Sequence, residues 1–257
     1  MILEELQKQK TDNGIIYLNE IDKSFEILYQ QLLKKEKRFY DNDEVKLLPY
    51  SSQRNPYKKE WQLRVRTFLR FRYYLSTKKT KLNILDVGCG NGWLIGQLAK
   101  EFDHNYFGID TNLVELEQAD KLFSSEKVIF IYGDISKATL PTDTFNIVIL
   151  NSTLQYFKDV DVLLKELLTI SKSYGEVHIL DTPFYLANDL IRVKNNSLKH
   201  FSSIGLPEMT QKFFHHTTDE LKYFRNQLLY NPNSIKNKLS NLFFEEDSPF
   251  SWIMITR

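Results

Sequence analysis

Only one cysteine, Cys89, occurs in the 257 residues. That excludes an intramolecular disulfide and a cysteine-based zinc site, and no metal site is expected. Charge of neither sign is in excess, with 34 Lys and Arg against 33 Asp and Glu. Nothing global therefore draws the chain to nucleic acid or to an anionic membrane, although a local basic face remains open. No apolar run approaches the ~20 residues that span a bilayer. Internal repeats and low-complexity tracts are absent as well. The first five residues include Glu4 and Glu5 and do not read as a secretory leader. The expectation is a soluble, cytoplasmic protein. A length of 257 residues, 42% of them apolar, suits one large α/β domain with additions rather than two independent cores.

The most informative stretch present is NILDVGCGNGWL, residues 83–94. Ile84, Leu85 and Val87 favour a strand covered on both faces. Gly88, Gly90 and Gly92 follow at two-residue spacing, where positive φ and close approach of a ligand to the backbone are permitted. Residues 93–100 have helical character. A helix start presents free N–H groups and a partial positive charge, which suits a ligand bearing an anionic or carboxylate group. Asp86 precedes the turn. Trp93 stands where a dinucleotide fingerprint would place its third glycine.

The string LDVGCGNG resembles the first motif of the class I S-adenosylmethionine-dependent methyltransferases, in their small-molecule, type 11/12-like branch. The resemblance implies an α/β fold: a Rossmann-like, doubly wound, seven-stranded, mostly parallel sheet ending in an antiparallel strand. It implies S-adenosyl-L-methionine as cofactor and S-adenosyl-L-homocysteine as product. Here a helical N-terminal extension, residues 1–78, would cap the cofactor cleft. The methyltransferase domain would follow over 79–257.

Taken in order, Ile21, Phe25, Leu28, Leu32 and Leu33 recur at helical spacing within residues 1–40. A Pro-, Ser- and Asn-containing loop at 48–57 precedes a helix at about 58–76. From this region Arg64 or Arg54 is a candidate partner for the methionine carboxylate. Strands are expected at 106–110, 128–132 and 145–150. Asp110 ends the first of these, beside the glycine turn, where a carboxylate can accept both ribose hydroxyls. Thr111 and Asn112 open the next helix, with Thr111 as a possible cap. Gly133, Asp134 and Ile135 follow the next strand; the resemblance implies that the acid meets the adenine amino group and the next residue covers the ring. Asn146 stands where family members commonly carry an acid. The cofactor set is thus Asp86, Gly88, Cys89, Gly90, Asn91, Gly92, Asp110, Thr111, Asn112, Gly133, Asp134, Ile135, Asn151, Gln155 and Arg64. Cys89 reads as a small structural side chain in the turn rather than a nucleophile.

Further on, a helix at 160–171 leads to a strand at 176–181. A segment without a clear helix, a lid-like insertion at about 183–216, comes next. Thr218 reads as the cap of a following helix. Phe243 and Phe244 suit a sixth strand and residues 250–255 a seventh, joined by a turn at 246–249. Methyl transfer requires an aligned nucleophile and sometimes a base. His215, His216 and Tyr156 are the catalytic candidates, while mid-strand His178 reads as a core histidine. The tetrapeptide Asn-Pro-Pro-Tyr is absent after the fourth strand, which argues against amino methylation of DNA adenine or glutamine amides. The expected acceptor is a small or medium-sized metabolite methylated at O, N or C, with no general nucleic-acid or membrane partner. An RNA or protein methyltransferase and a non-catalytic SAM-binding module are the alternatives. Oligomeric state is not legible.

Overall fold

The computed structural model describes residues 14–235, 237 and 246–257. Among these, the chain runs β1 (Ile16–Tyr17), α1 (Lys23–Lys35), α2 (Asn42–Leu47), α3 (Lys58–Ser76), β2 (Asn83–Val87), α4 (Trp93–Glu101), β3 (Asn105–Asp110), α5 (Leu113–Phe123), β4 (Val128–Tyr132), β5 (Phe145–Asn151), α6 (Val160–Ile170), β6 (Ser171–Leu180), β7 (Phe184–Tyr185), α7 (Leu190–Ser203), β8 (His216–Thr217), β9 (Arg225–Tyr230) and β10 (Trp252–Thr256). One sheet takes the order β1-β4-β3-β2-β5-β6-β10-β9. Only β10 runs against its neighbours, antiparallel to both β6 and β9. The expected doubly wound, mostly parallel sheet with its closing antiparallel strand is present, widened to eight strands by β1 at one edge.

Successive residues of the central strands alternate between two cores. Ile84, Tyr106, Phe130, Ile147 and Ile149 pack with α3, α4 and α5. Leu85, Val87, Phe107, Ile109 and Val148 pack on the opposite face with α6. Both faces are covered, which is why these strands read as continuous apolar runs. Chain order reverses beside β2, between β3 and β5. A crevice outside the strand ends at such a switch point is where open α/β sheets bind ligands.

Two additions stand over those strand ends. Helix α1 is anchored by Glu26, which is 5% exposed. Its Oε1 accepts from the Leu113 N–H at the start of α5 (3.0 Å), and its Oε2 from Tyr132 Oη (2.8 Å) and Lys23 Nζ (2.8 Å). The second addition is the segment between β6 and β9. Its ends are tied by a two-stranded parallel ladder, β7 with β8. Leu32 of α1 and Phe201, Leu206 and Met209 of the segment share a small core, so the additions pack on each other.

Several local expectations are corrected. The helical N-terminal extension is present as α1, α2 and α3, with the short β1 and Gly14 at φ 82° ahead of α1 as an unexpected addition; residues 1–13 lie outside the described residues. The 183–216 segment carries α7, whose buried apolar positions are only Val193 and Phe201; so thin a stripe among Lys, Asn and Ser hides a helix. Thr218 opens a four-residue 3-10 turn, and its cap is Thr217, in a capping box with Glu220. The partner of the last strand is β9, a largely exposed edge strand, while Phe243 and Phe244 fall outside the described residues. Asn112, not Thr111, is the cap residue of α5.

Glu26 bridges three elements from a buried position, whereas Lys23 is exposed. Glu26→Ala leaves a helix-start N–H without a partner and the Tyr132 hydroxyl without its acceptor, with only Lys23 still donating to it, and should cost about 2–3 kcal/mol. Lys23→Met should cost under about 1 kcal/mol. Urea unfolding of the two variants checks this; equal losses would contradict the anchoring role.

Candidate active site

The glycine turn joins β2 to α4 with Gly88, Gly90 and Gly92 all at positive φ (72°, 52° and 71°). A Cβ on Gly88 would strike the Thr153 side chain, and one on Gly92 would come within 2.7 Å of the Phe130 ring. These are the positions where glycine is required by both φ and space. Asp110 fixes the turn from the next strand: its Oδ2 accepts from Gly90 N (2.8 Å) and its Oδ1 from Asn112 N (2.8 Å). Burial raises the Asp110 carboxyl, and the backbone N–H groups of Gly90 and Asn112 counteract it. Cys89 turns its thiol beneath the loop, where a Cβ on Gly108 would lie 2.7 Å from Sγ. Burial pushes that thiol up, in keeping with a packed side chain rather than a nucleophile.

Two cavities meet at this turn. The smaller, about 300 Å³, takes Gly88, Asp110, Thr111, Gly133, Asp134 and Ile135 as part of its wall, closed from above by Phe25 and Tyr29 of α1. The larger, about 840 Å³, contains Asp86, Cys89, Gly90, Asn91, Asn151, Gln155 and Arg64. Gly88 and Tyr156 line both. These sizes fall within the ~300–1,000 Å³ usual for ligand pockets. Three buried oxygens, Asp86 Oδ1, Asn151 Oδ1 and Gln155 Oε1, have no hydrogen-bond partner. All three residues are in the wall of the larger cavity. Unmatched acceptors at such a wall call for a ligand that brings N–H or O–H donors. Arg64 Nη2 donates to Glu60 Oε1 (2.9 Å) and Ser152 Oγ (3.1 Å). Ser152 and Asp181, at the ends of β5 and β6, both have left-handed backbones (φ 57° and 45°), a strain that concentrates at functional sites.

Not every candidate is gathered here. Asn112 lines neither cavity: its Nδ2 donates to Glu115 Oε2 and its Oδ1 accepts from Gln30 Nε2. Gly92 also lies outside both walls and acts through the turn. Arg54 is exposed. His216 is 3% exposed, with Nδ1 on Glu220 Oε2 (3.0 Å) and Nε2 on the Leu154 carbonyl (3.2 Å). Both ring nitrogens are occupied within the fold. His215 bonds Ser197 Oγ (2.8 Å) and packs on Tyr185 and Phe213. Neither histidine lines either of these two cavities. Tyr156 does, but burial pushes its phenol up to about 12, so at neutral pH it is a hydrogen-bond donor rather than a base. His178 is a core histidine, accepting from Trp252 Nε1 at Nδ1 (2.9 Å).

Glu115, in the first turn of α5, escaped the sequence reading. It is 8% exposed, and both its oxygens lie 3.5 Å from where a Gly90 Cβ would be. The available clue was an acid five residues beyond Asp110. Burial, then the nearby Asp110 charge, pushes the Asp86 and Glu115 carboxyls up to about 8.

Comparison with known proteins bears on this arrangement. The family described as "Methyltransferase domain" matches residues 78–245. A malonyl-[acyl-carrier protein] O-methyltransferase of Acetivibrio thermocellus is 36% identical over 98 residues, 38% of this chain and 34% of that protein. An uncharacterized methyltransferase of Mycobacterium tuberculosis is 31% identical over 84 residues, 33% of this chain and 42% of that protein. The matches thus span well under half the length of these relatives. Among solved structures, the YcgJ protein of Bacillus subtilis aligns with a TM-score of 0.54 at 15% identity, covering 74% of this chain and 98% of that one. The plantazolicin methyltransferase BpumL, bound to a triazolic desmethylPZN analog and SAH, aligns with a TM-score of 0.53 at 18% identity, covering 92% and 100%. At such identities the likeness is one of fold.

A pH effect follows from the two buried acids. Unfolded, they ionise near the ordinary 3.8 and 4.5; folded, near 8. The folded ligand-free chain binds more protons between these values, so its stability falls as pH rises through that window. The Asp86→Asn, Glu115→Gln double variant should lose part of that fall. Between pH 6 and 8.5 its Tm should drop less than the parent's by at least ~2–4 °C, the equivalent of about 1 kcal/mol. Parallel Tm–pH curves would contradict the burial argument.

Proposed function

The chain belongs to the class I S-adenosylmethionine-dependent methyltransferases, and from that premise we propose that it binds S-adenosyl-L-methionine across the two cavities and transfers its methyl group to O, N or C of a small or medium-sized acceptor. The observation that carries this reading is the set of unmatched acceptor oxygens on Asp86, Asn151 and Gln155, beside a glycine turn that Asp110 holds open.

The residues fit the cofactor's chemistry. Asp110 retains lone pairs for ribose hydroxyls after accepting two backbone N–H groups. Gly133, Asp134 and Ile135, under Phe25 and Tyr29, would hold the adenine in the smaller cavity. Asp86, Asn151 and Gln155 supply acceptors for an ammonium, and Arg64, which shares Glu60 with Arg38, is the candidate partner for a carboxylate. The bound cofactor supplies a methyl carbon already activated by a sulfonium, so the chain's work is alignment and exclusion of water. Beyond the turn, the larger cavity continues to Trp61, Phe201 and Phe213. That wall suits an acceptor with an apolar or aromatic body. Tyr156 would donate to the acceptor rather than deprotonate it.

Isothermal calorimetry with S-adenosylmethionine tests the reading. Micromolar-range binding is expected. Asp110→Ala should weaken it by ~1.5–3 kcal/mol, roughly 10- to 150-fold. No binding to the parent chain would overturn the reading, and unchanged affinity in the variant would overturn the ribose assignment.

A further inference from the structure

Three carboxylates surround the glycine turn: Asp86 from β2, Asp110 from β3 and Glu115 from α5. Asp110 accepts backbone N–H groups on both oxygens. Glu115 Oε2 accepts only the neutral Asn112 amide. Asp86 is 2% exposed and its Oδ1 has no partner. Among the described residues, no Lys, Arg or His bonds any of the three. The acids act electrostatically on Cys89 from the loop, Tyr29 from α1 and Tyr156 from the turn after β5, all of which ionise to anions. Glu26 of α1 adds a further negative charge toward Asp110. The guanidinium groups of Arg38 and Arg64 share the larger cavity but are engaged by Glu60. Glu36, Lys59, Asp181 and His200 also line it. Among the described residues, no three His, Cys, Asp or Glu side chains are placed to hold a metal ion.

Two buried acids in the wall of a ligand cavity, to neither of which a described cation bonds, are built for a cation that arrives. On the cofactor reading above, we infer that Glu115, acting with Asp86, is an additional cofactor-binding carboxylate that senses the positive charge of the methyl donor. S-adenosylmethionine carries a sulfonium charge that S-adenosylhomocysteine has lost. Both share the ammonium, the carboxylate and the adenosine. A carboxylate at low dielectric separates the two by charge alone. The same field couples binding to protons: a cation draws the raised carboxyls into their ionised forms, so protons leave as the donor binds near neutral pH. Transfer of the methyl group removes the sulfonium charge, the carboxylates take protons back, and the hold on the product weakens.

The test is calorimetry of the intact chain with S-adenosylmethionine and with S-adenosylhomocysteine, at pH 7.5, in buffers of different ionisation enthalpy. The parent should release protons with the donor, and fewer with the product. Glu115→Gln keeps the shape and an oxygen to accept the hydrogen bond from Asn112 Nδ2 but cannot ionise. It should lower the donor-to-product affinity ratio at least fivefold and reduce proton release. Equal proton release for the two ligands in the parent, or an unchanged ratio in Glu115→Gln, would overturn the inference while leaving the cofactor reading intact. Failure of the parent to bind either ligand would overturn both. The parent's proton count needs no variant, so a Glu115→Gln protein that failed to fold would not shelter the claim.

Discussion

The carboxylate of Asp110 is the point on which the site depends. One oxygen holds the Gly90 N–H and the other the Asn112 N–H, so a single side chain fixes both the glycine turn and the start of α5. Charge-assisted bonds of this kind are roughly twice as strong as neutral ones. The Gly90 contact stabilises a left-handed backbone that a Cβ would oppose. From that clamp follow the opening of the turn, the placing of α4 behind it and the position of Glu115 below Gly90. The cost is an acid held away from water among other acids, which a cationic ligand would relieve.

The additions to the sheet are part of the same arrangement. Glu26 joins α1 to α5 and β4 by accepting from Leu113 N–H and Tyr132 Oη. Phe25 and Tyr29 are thereby carried over the smaller cavity. Phe201, on α7, packs in one small core with Leu32 of α1 and also lines the larger cavity. His200 and Glu36 bond across the same junction (2.7 Å). Two segments that pack on each other thus border both cavities.

The central units were legible because local chemistry and global position agree in them. Ile84 to Gly92 combines a doubly buried strand with glycines that only one conformation requires, and Asp110 stands at a strand end by simple spacing. Legibility failed where the deciding contact is distant. Edge strand β9 has the polar start Arg225-Asn226-Gln227 and is a strand only because β10 pairs with it. Helix α7 has two buried apolar positions and is fixed by packing on α1. The pair His215 and His216 looked like bases because histidine titrates near neutrality, yet Glu220, Leu154 and Ser197 occupy them. Glu115 looked like an ordinary helix-start acid. Its meaning comes from Gly90, twenty-five residues earlier, which no periodicity connects to it.

On the proposed function, the clamped turn and the cavities on either side of it form one S-adenosylmethionine site. A crystal structure of the chain with S-adenosylhomocysteine tests it most directly. The ribose hydroxyls should lie on the Asp110 carboxylate, the adenine between Ile135 and the rings of Phe25 and Tyr29, and the amino group among Asp86, Asn151 and Gln155. A ligand bound elsewhere at saturating concentration, with Asp110 touching only Gly90 and Asn112, would contradict it.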